Sequence, residues 1–249
     1  MHLRVKGTEG APLALFLHPF PLSGACWDGL LQACADAGLR AAALDAPGFG
    51  EAQALGLPLE MEALARLARD TLDQLAVQQA AIVGCSMGGY AALAFARLFP
   101  ERLRALALVC TKASADSSEA KEKRERNALL ALSQGPAAVV EAMLPSLLAP
   151  GSLALPAARA LAAQATAQGL ADALRGMALR PDASASLAQI HAAALIVAGE
   201  FDQVIPRAET DALTRGIPSA KQALIAGAGH LCFLEQPALV AAALIPHLR

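Results

Sequence analysis

Short apolar runs alternate along the chain with longer segments whose apolar residues recur at helical spacing. Most of these runs are followed closely by Gly or Pro, which is typical of strands buried on both faces of a sheet. The predicted strands span residues 13–17, 40–44, 80–83, 103–109, 194–197 and 222–225.

The segments between the strands predict helices. Met61–Leu75 places its leucines on one face and its charged residues elsewhere, whereas Gly88–Phe99 is apolar nearly all round and is expected to be buried. Pro237–Leu248 begins with proline in a first-turn position. Alternation of strands and helices indicates an α/β fold with a mostly parallel central sheet flanked by helices.

One long stretch interrupts this alternation. Helical patterns at 120–133, 136–148 and 155–177 follow one another without a convincing strand. We therefore predict a helical cap insertion at residues 112–187. The α/β core then consists of residues 1–111 and 188–249.

The segment that most strongly indicates chemistry is Gly84-Cys-Ser86-Met-Gly88, which lies between an apolar strand and an apolar helix. A serine on a sharp strand-to-helix turn presents its hydroxyl as a nucleophile, and glycines on either side avoid steric clashes. Ser86 is the predicted nucleophile. Cys85 is a rival, although a small buried role in the turn is the preferred interpretation for that cysteine.

A serine nucleophile needs a base and an acid that orients the base. Of the five histidines, His230 follows the last predicted strand, where a loop can reach the carboxyl edge of the sheet. Asp202 lies shortly after the preceding strand and is preferred over Glu200 as the acid. The order Ser86, Asp202, His230 is the one expected for this architecture.

These motifs together resemble the α/β-hydrolase fold family over nearly the whole chain. Gly84–Gly88 resembles its nucleophile turn, Gly199–Pro206 its acid turn, and Gly229–Pro237 its histidine loop and last helix. His18–Pro21 resembles the family's oxyanion loop, with proline where glycine is more common. Asp45–Gly50 resembles a further family turn.

The resemblance implies roles for residues outside the triad. The backbone N–H groups of Phe20 and Met87 would form the oxyanion hole, and Phe20 retains its N–H although Pro19 restricts the loop. His18 and Asp45 would be structural and tie loops together at the strand ends.

The resemblance also implies where substrate binds and what reaction occurs. Ser23 and Trp27 would line the pocket or anchor the helix that follows them. The surrounding motifs look most like the carboxylesterase and enol-lactone hydrolase branch. This implies hydrolysis of a carboxylic ester or lactone of a small, largely apolar molecule through an acyl-enzyme on Ser86, with no metal and no cofactor.

Two alternative functions stay open at this stage. The same triad could hydrolyse a carbon–carbon bond of a dienone-type product, for which Arg124 and Arg126 could supply contacts to a carboxylate. A weakly catalytic ligand receptor on the same fold would show slow turnover and tight binding.

Composition restricts the partners. The 249 residues are 55% hydrophobic and 17% charged, with a net charge of -2 and no basic stripe, which disfavours nucleic-acid and membrane-surface binding. Five scattered cysteines favour a reducing compartment, and the N-terminus has no signal-peptide pattern, so a cytoplasmic location is expected. The Leu- and Ala-rich cap helices are compatible with a homodimer surface or with a pocket lining.

Overall fold

The computed structural model describes residues 2–249, and its centre is a seven-stranded sheet. The strands are β1 (Leu3–Lys6), β2 (Leu13–Leu17), β3 (Arg40–Leu44), β4 (Ala80–Cys85), β5 (Leu103–Val109), β6 (Ala193–Gly199) and β7 (Ala220–Ile225). Their order across the sheet is β1-β3-β2-β4-β5-β6-β7. All neighbouring strands are parallel except β1, which runs antiparallel to β3.

Ten α-helices accompany the strands within residues 2–249. They are α1 (Asp28–Asp36), α2 (Met61–Gln74), α3 (Met87–Leu98), α4 (Ser118–Gln134), α5 (Pro136–Met143), α6 (Leu155–Ala162), α7 (Ala167–Leu179), α8 (Arg207–Gly216), α9 (Cys232–Glu235) and α10 (Pro237–Leu248). None of these helices is both long enough and apolar enough to cross a membrane.

The central strands confirm the predicted α/β architecture. β2 and β4 are buried along their whole length, and so is the predicted all-apolar helix α3 from Met87 to Ala96. Most of β3 and α3 is buried as well and is rich in alanine, as fits an apolar parallel sheet covered on both faces by helices.

The two edges of the sheet differ from the prediction. β1 was not predicted, because its four residues Leu-Arg-Val-Lys carry too little apolar pattern. The run at 222–225 was predicted to be buried on both faces, yet Leu224 is exposed and only Ile225 of β7 is fully buried. An edge strand has a neighbour on one side only, so part of it remains in water.

The segment between β5 and β6 contains helices α4 to α7. The predicted helix at 155–177 is two helices, since Thr166 starts α7 by accepting the Gly169 N–H at 2.9 Å on its side-chain oxygen. α7 lies directly on the core: a Cβ on Gly169 would collide with the backbone of Gly48, and the Asp172 carboxylate accepts the Gly56 N–H at 2.9 Å. This helical segment, called the cap below, therefore contacts the core through α7.

Candidate active site

Ser86 lies in a strained turn at the carboxyl end of β4. Its φ of 51° and ψ of -112° are backbone angles that L-residues rarely adopt. A Cβ on Gly84 would collide with the Gly88 carbonyl, and one on Gly88 would collide with the Leu17 carbonyl. The two glycines of the motif are therefore required by close backbone approach.

The strained backbone of Ser86 is held from several sides. Its N–H donates to the Val109 carbonyl at 3.0 Å, and its own carbonyl accepts the Thr111 hydroxyl at 2.9 Å and the Tyr90 N–H at 3.1 Å. Within residues 2–249 its hydroxyl makes no hydrogen bond to protein. The turn thus fixes the backbone and leaves the hydroxyl uncommitted.

Asp202 and His230 are in direct contact. The Nδ1 atom of His230 lies 2.9 Å from Oδ2 and 3.1 Å from Oδ1 of Asp202, and both side chains are almost completely buried. The Asp202 carboxylate also accepts the backbone N–H groups of Val204 at 2.8 Å and Ile205 at 3.0 Å. A carboxylate at Nδ1 places the ring proton there, so Nε2 is left as the acceptor.

The surroundings of Asp202 keep its carboxylate ionised. Burial by itself raises the pKa of Asp202, but the nearby His230, its hydrogen bond and the two backbone N–H donors together hold that pKa below its ordinary value. An ionised Asp202 at neutral pH stabilises a positive charge that develops on His230 when the ring accepts a proton.

Glu200, the competing acid, has a different position. It is exposed, and its Oε2 accepts the Gly227 N–H at 2.8 Å, which ties down the start of the histidine loop. Asp202 is the residue that contacts His230.

Sheet register brings Ser86 to the same edge as this pair. Cys85 is paired with Val109 across β4 and β5, and Val109 is paired with Val197 across β5 and β6. Cys110, which follows Val109, has its Sγ within 4.8 Å of a carboxylate oxygen of Asp202 and of a ring nitrogen of His230. Ser86 therefore lies at the same carboxyl edge as the pair, with only β5 between its own strand β4 and the strand β6 that leads to Asp202.

Of the two predicted oxyanion donors, Met87 follows Ser86 directly and Phe20 lies in the loop after the strand that neighbours β4. Met87 is the first residue of α3, where the backbone N–H groups have no partner within the helix. Phe20 follows β2, the strand next to β4, and its buried ring packs edge-on against Phe49 with centroids 6.0 Å apart. Their role as oxyanion donors stays a prediction.

The expected structural roles of His18 and Asp45 are confirmed by their contacts. His18 Nε2 accepts the Ala46 N–H at 3.0 Å, and burial lowers the pKa of this histidine, which keeps it neutral. Asp45 accepts the N–H groups of Gly24 at 2.7 Å and Glu51 at 3.1 Å.

The two residues predicted to line the pocket are both buried. The Ser23 hydroxyl donates to Gln164 of the cap at 3.1 Å. Trp27 is fully buried between Phe16 and Phe233, with ring centroids 5.3 and 4.2 Å away. Trp27 directly precedes α1, so the structure favours the helix-anchoring alternative for this residue.

Three cysteines lie close to the site, and for two of them, Cys110 and Cys232, the sequence did not predict this position. Burial raises the pKa of the Cys85 thiol well above its ordinary value, which disfavours the thiolate that a nucleophile requires. Cys110 and Cys232 are buried with their Sγ atoms 3.8 Å apart. Nothing in their sequence spacing of over a hundred residues indicates this proximity.

A cavity of about 490 Å³ lies between the cap and the core. Its wall includes Gln203, Val204 and Ile205, which follow Asp202 directly, whereas Ser86 and His230 are not among the lining residues. Its charged lining consists of one acid, Asp116, and three cations, Lys112, Lys123 and Arg124.

Comparison with known proteins supplies the family. The model of the alpha/beta hydrolase fold family matches residues 12–237. The chain belongs to the α/β-hydrolase fold family. A malate-bound thermophilic esterase from Thermogutta terrifontis superimposes with a TM-score of 0.94 and 34% identity, over 98% of this chain and 90% of the esterase chain.

Two further proteins are similar to this chain, one with lower sequence identity and one over a shorter segment. The enol-lactonase from Burkholderia xenovorans LB400 has a TM-score of 0.91 at 23% identity, over 99% of this chain and 95% of the enol-lactonase, which shows the shared fold. A 2-hydroxy-6-oxononadienedioate/2-hydroxy-6-oxononatrienedioate hydrolase from Paraburkholderia phymatum is 39% identical over 80 residues, which is 32% of this chain and 28% of that protein. The matches to the first curated relatives span 28–39% of those proteins' length.

Proposed function

We propose that this α/β-hydrolase is a serine hydrolase that cleaves a carboxylic ester or lactone of a small, largely apolar molecule. The observation that carries the proposal is the buried Asp202–His230 hydrogen bond at the sheet edge where Ser86 occupies its strained turn. The similarity to an esterase over nearly the whole chain supports ester hydrolysis as the reaction class.

The proposed reaction has two halves. In the first, His230 Nε2 accepts the Ser86 hydroxyl proton as the oxygen attacks the carbonyl carbon, and the N–H groups of Phe20 and Met87 stabilise the oxyanion. The proton on His230 then passes to the leaving alcohol or enol, which leaves an acyl group on Ser86. In the second half His230 deprotonates a water molecule, whose attack releases the acid and restores the serine.

The test is hydrolysis of p-nitrophenyl esters from acetate to long acyl chains by the wild type, Ser86→Ala and the control Ser219→Ala. We expect Ser86→Ala to lose roughly three or more orders of magnitude in kcat, whereas Ser219, an exposed serine before β7, tolerates the change. A fluorophosphonate should add to wild type and not to Ser86→Ala by mass spectrometry. Equal turnover or equal labelling of these two proteins would contradict the proposal.

A second candidate, carbon–carbon bond hydrolysis of a substrate that bears a carboxylate, is favoured by the charged wall of the cavity. Arg124 lines this cavity with Lys112 and Lys123, whereas the Arg126 side chain is 67% exposed and pairs with Glu122. Of the two arginines considered from the sequence, Arg124 is therefore the one placed to attract an anionic group. The Paraburkholderia relative supports this candidate by the reaction its name states.

Matched substrates separate the two candidates. Methyl hexanoate and the monomethyl ester of adipic acid differ only in a terminal carboxylate, and a vinylogous 2-hydroxy-6-oxo-dienoate reports carbon–carbon cleavage by loss of its chromophore. Faster turnover of either ester than of the dienoate supports the ester hydrolase. Turnover of the dienoate alone, lost in Ser86→Ala, would replace it with the second candidate.

A further inference from the structure

The loop that carries His230 is attached on both sides of the histidine. The Gly229 N–H donates to Oε2 of Glu235 at 2.7 Å, and the Leu231 N–H donates to the carbonyl of Leu147 in the cap at 2.9 Å. The backbone on either side of His230 is therefore fixed by one carboxylate of the core and one carbonyl of the cap.

The other oxygen of Glu235 reaches the cap. Oε1 accepts the Ala149 N–H at 2.8 Å, so a single carboxylate joins the histidine loop to the cap segment 147–149. The two backbones also touch, because a Cβ on Gly229 would lie 2.6 Å from the Ala149 nitrogen and from the Leu148 carbonyl carbon. A shift of this cap segment must therefore move the loop or break these bonds.

Glu200 provides an internal contrast. It also accepts a backbone N–H of this loop, that of Gly227 at 2.8 Å, but within residues 2–249 its side chain makes no hydrogen bond to the cap. Comparison of Glu200 with Glu235 therefore separates a carboxylate that only holds the loop from one that joins the loop to the cap.

We propose that Glu235 is a positioning residue through which cap segment 147–149 sets the orientation of His230. This inference rests on the proposed function, since it assigns to the cap a part in aligning the general base as well as in shaping the pocket. The carboxylate is suited to the task, because it accepts two N–H donors from different segments, whereas a glutamine would offer an acceptor to one and an NH₂ group to the other.

The first test does not depend on turnover. The proton NMR resonance of the His230 Nδ1–H, shifted downfield by its bond to Asp202, is recorded for the wild type, Glu235→Gln, Glu200→Gln and Ala149→Pro. Ala149→Pro removes the cap's N–H donor to Glu235 and puts the proline ring's Cδ in its place, and the preceding Leu148 has the extended backbone (φ -125°, ψ 154°) that proline allows. We expect this resonance to broaden or vanish in Glu235→Gln and Ala149→Pro and to persist in Glu200→Gln. A sharp resonance in both Glu235→Gln and Ala149→Pro would overturn the proposal.

The second test is kinetic and counts active sites by fluorophosphonate titration. Per titrated site, we expect Glu235→Gln and Ala149→Pro to lower kcat by about 10- to 100-fold with KM changed by less than about threefold, because a displaced base costs rate rather than binding. An unchanged kcat per titrated site, with only a lower melting temperature or fewer active sites, would show a purely structural role. A wild type that neither turns over nor reacts with fluorophosphonate would refute the proposed function, and the NMR test would still decide the role of Glu235.

Discussion

Around Ser86 the chain is held by backbone contacts, whereas the cap helices are held to each other partly by ion pairs between exposed side chains. Arg159 pairs with Glu141 at 2.8 Å and Arg175 pairs with Glu125 at 2.7 Å, all within the cap and all at least partly exposed. Such exposed pairs add little to the stability of the fold, because water screens their charges. The edge of the sheet is thus built to hold one geometry, while the cap can vary in sequence at little cost in stability.

One charged cluster departs from this contrast, because it is buried and joins cap to core. Asp116 contacts Arg124 and lies 2.9 Å from Arg180, whose guanidinium stacks on Tyr90 at 4.0 Å. Lys112 is 3.7 Å from the same carboxylate. The cluster has three cations for one acid, so it both anchors the cap and leaves positive charge beside the cavity.

The largest expected effect is at the rigid edge. Asp202→Asn should lower kcat by about 10⁴-fold, because the amide no longer stabilises the charged ring and can favour the wrong tautomer. Steady-state kinetics on the best p-nitrophenyl ester provides the measurement, with Glu200→Gln as the matched control. A loss of kcat in Glu200→Gln as large as that in Asp202→Asn would contradict the assignment of the orienting role to Asp202.

The next effect concerns the buried cluster and depends on pH. Burial alone raises the pKa of Asp116, but hydrogen bonds and charge from Arg124 and Arg180 lower it far below its ordinary value. Such a carboxylate stabilises the fold above its unfolded pKa of about 4, and this contribution is lost as pH falls through the folded value. Asp116→Asn should cost about 3–5 kcal/mol at pH 7, since it leaves buried cations unpaired.

Urea unfolding of wild type and Asp116→Asn at several pH values checks this pH dependence of stability. The difference in unfolding free energy should be largest between pH 6 and 8 and should shrink as pH falls below about 4. A difference that stays constant down to pH 3 would mean that the pair does not act through the ionised carboxylate.

A smaller effect is expected on substrate selection by the cavity wall. Lys112→Ala should raise KM for the adipate monoester about fivefold, which corresponds to about 1 kcal/mol, and leave KM for methyl hexanoate nearly unchanged. Arg126→Ala is the control, because that arginine points to solvent from the same cap. Equal changes in KM for both esters would show that Lys112 acts on the structure of the cap and not on binding of the substrate's carboxylate.

The smallest effects compare one hydrogen bond in each region. Thr111→Val removes the hydroxyl bond to the Ser86 carbonyl, and Ser117→Ala removes the N-cap bond to Ala120 at the start of α4. Each should cost about 1 kcal/mol in unfolding free energy. Only Thr111→Val should also lower kcat, by a few fold; an equal decrease in Ser117→Ala would break the proposed division between edge and cap.

Much of the architecture could be predicted from local patterns. The strands at 13–17, 40–44 and 103–109 and the helix at 237–248 have their predicted bounds, because short buried runs and a first-turn proline are local signals. β1 and the break before α7 were missed: the first is stabilised by pairing with β3, and the second depends on the Thr166 cap and on contact with Gly48.

By itself, the sequence determined the class of fold, the strained serine turn and the loops that carry Asp202 and His230, because each depends on residues adjacent in the chain or on their order along it. Only the tertiary structure decided that Trp27 is core, that Cys110 and Cys232 meet, and that Glu235 joins the histidine loop to the cap. The last two contacts join residues 122 and 86 positions apart, and pairing at such separations depends on how sheet, loops and cap pack in space.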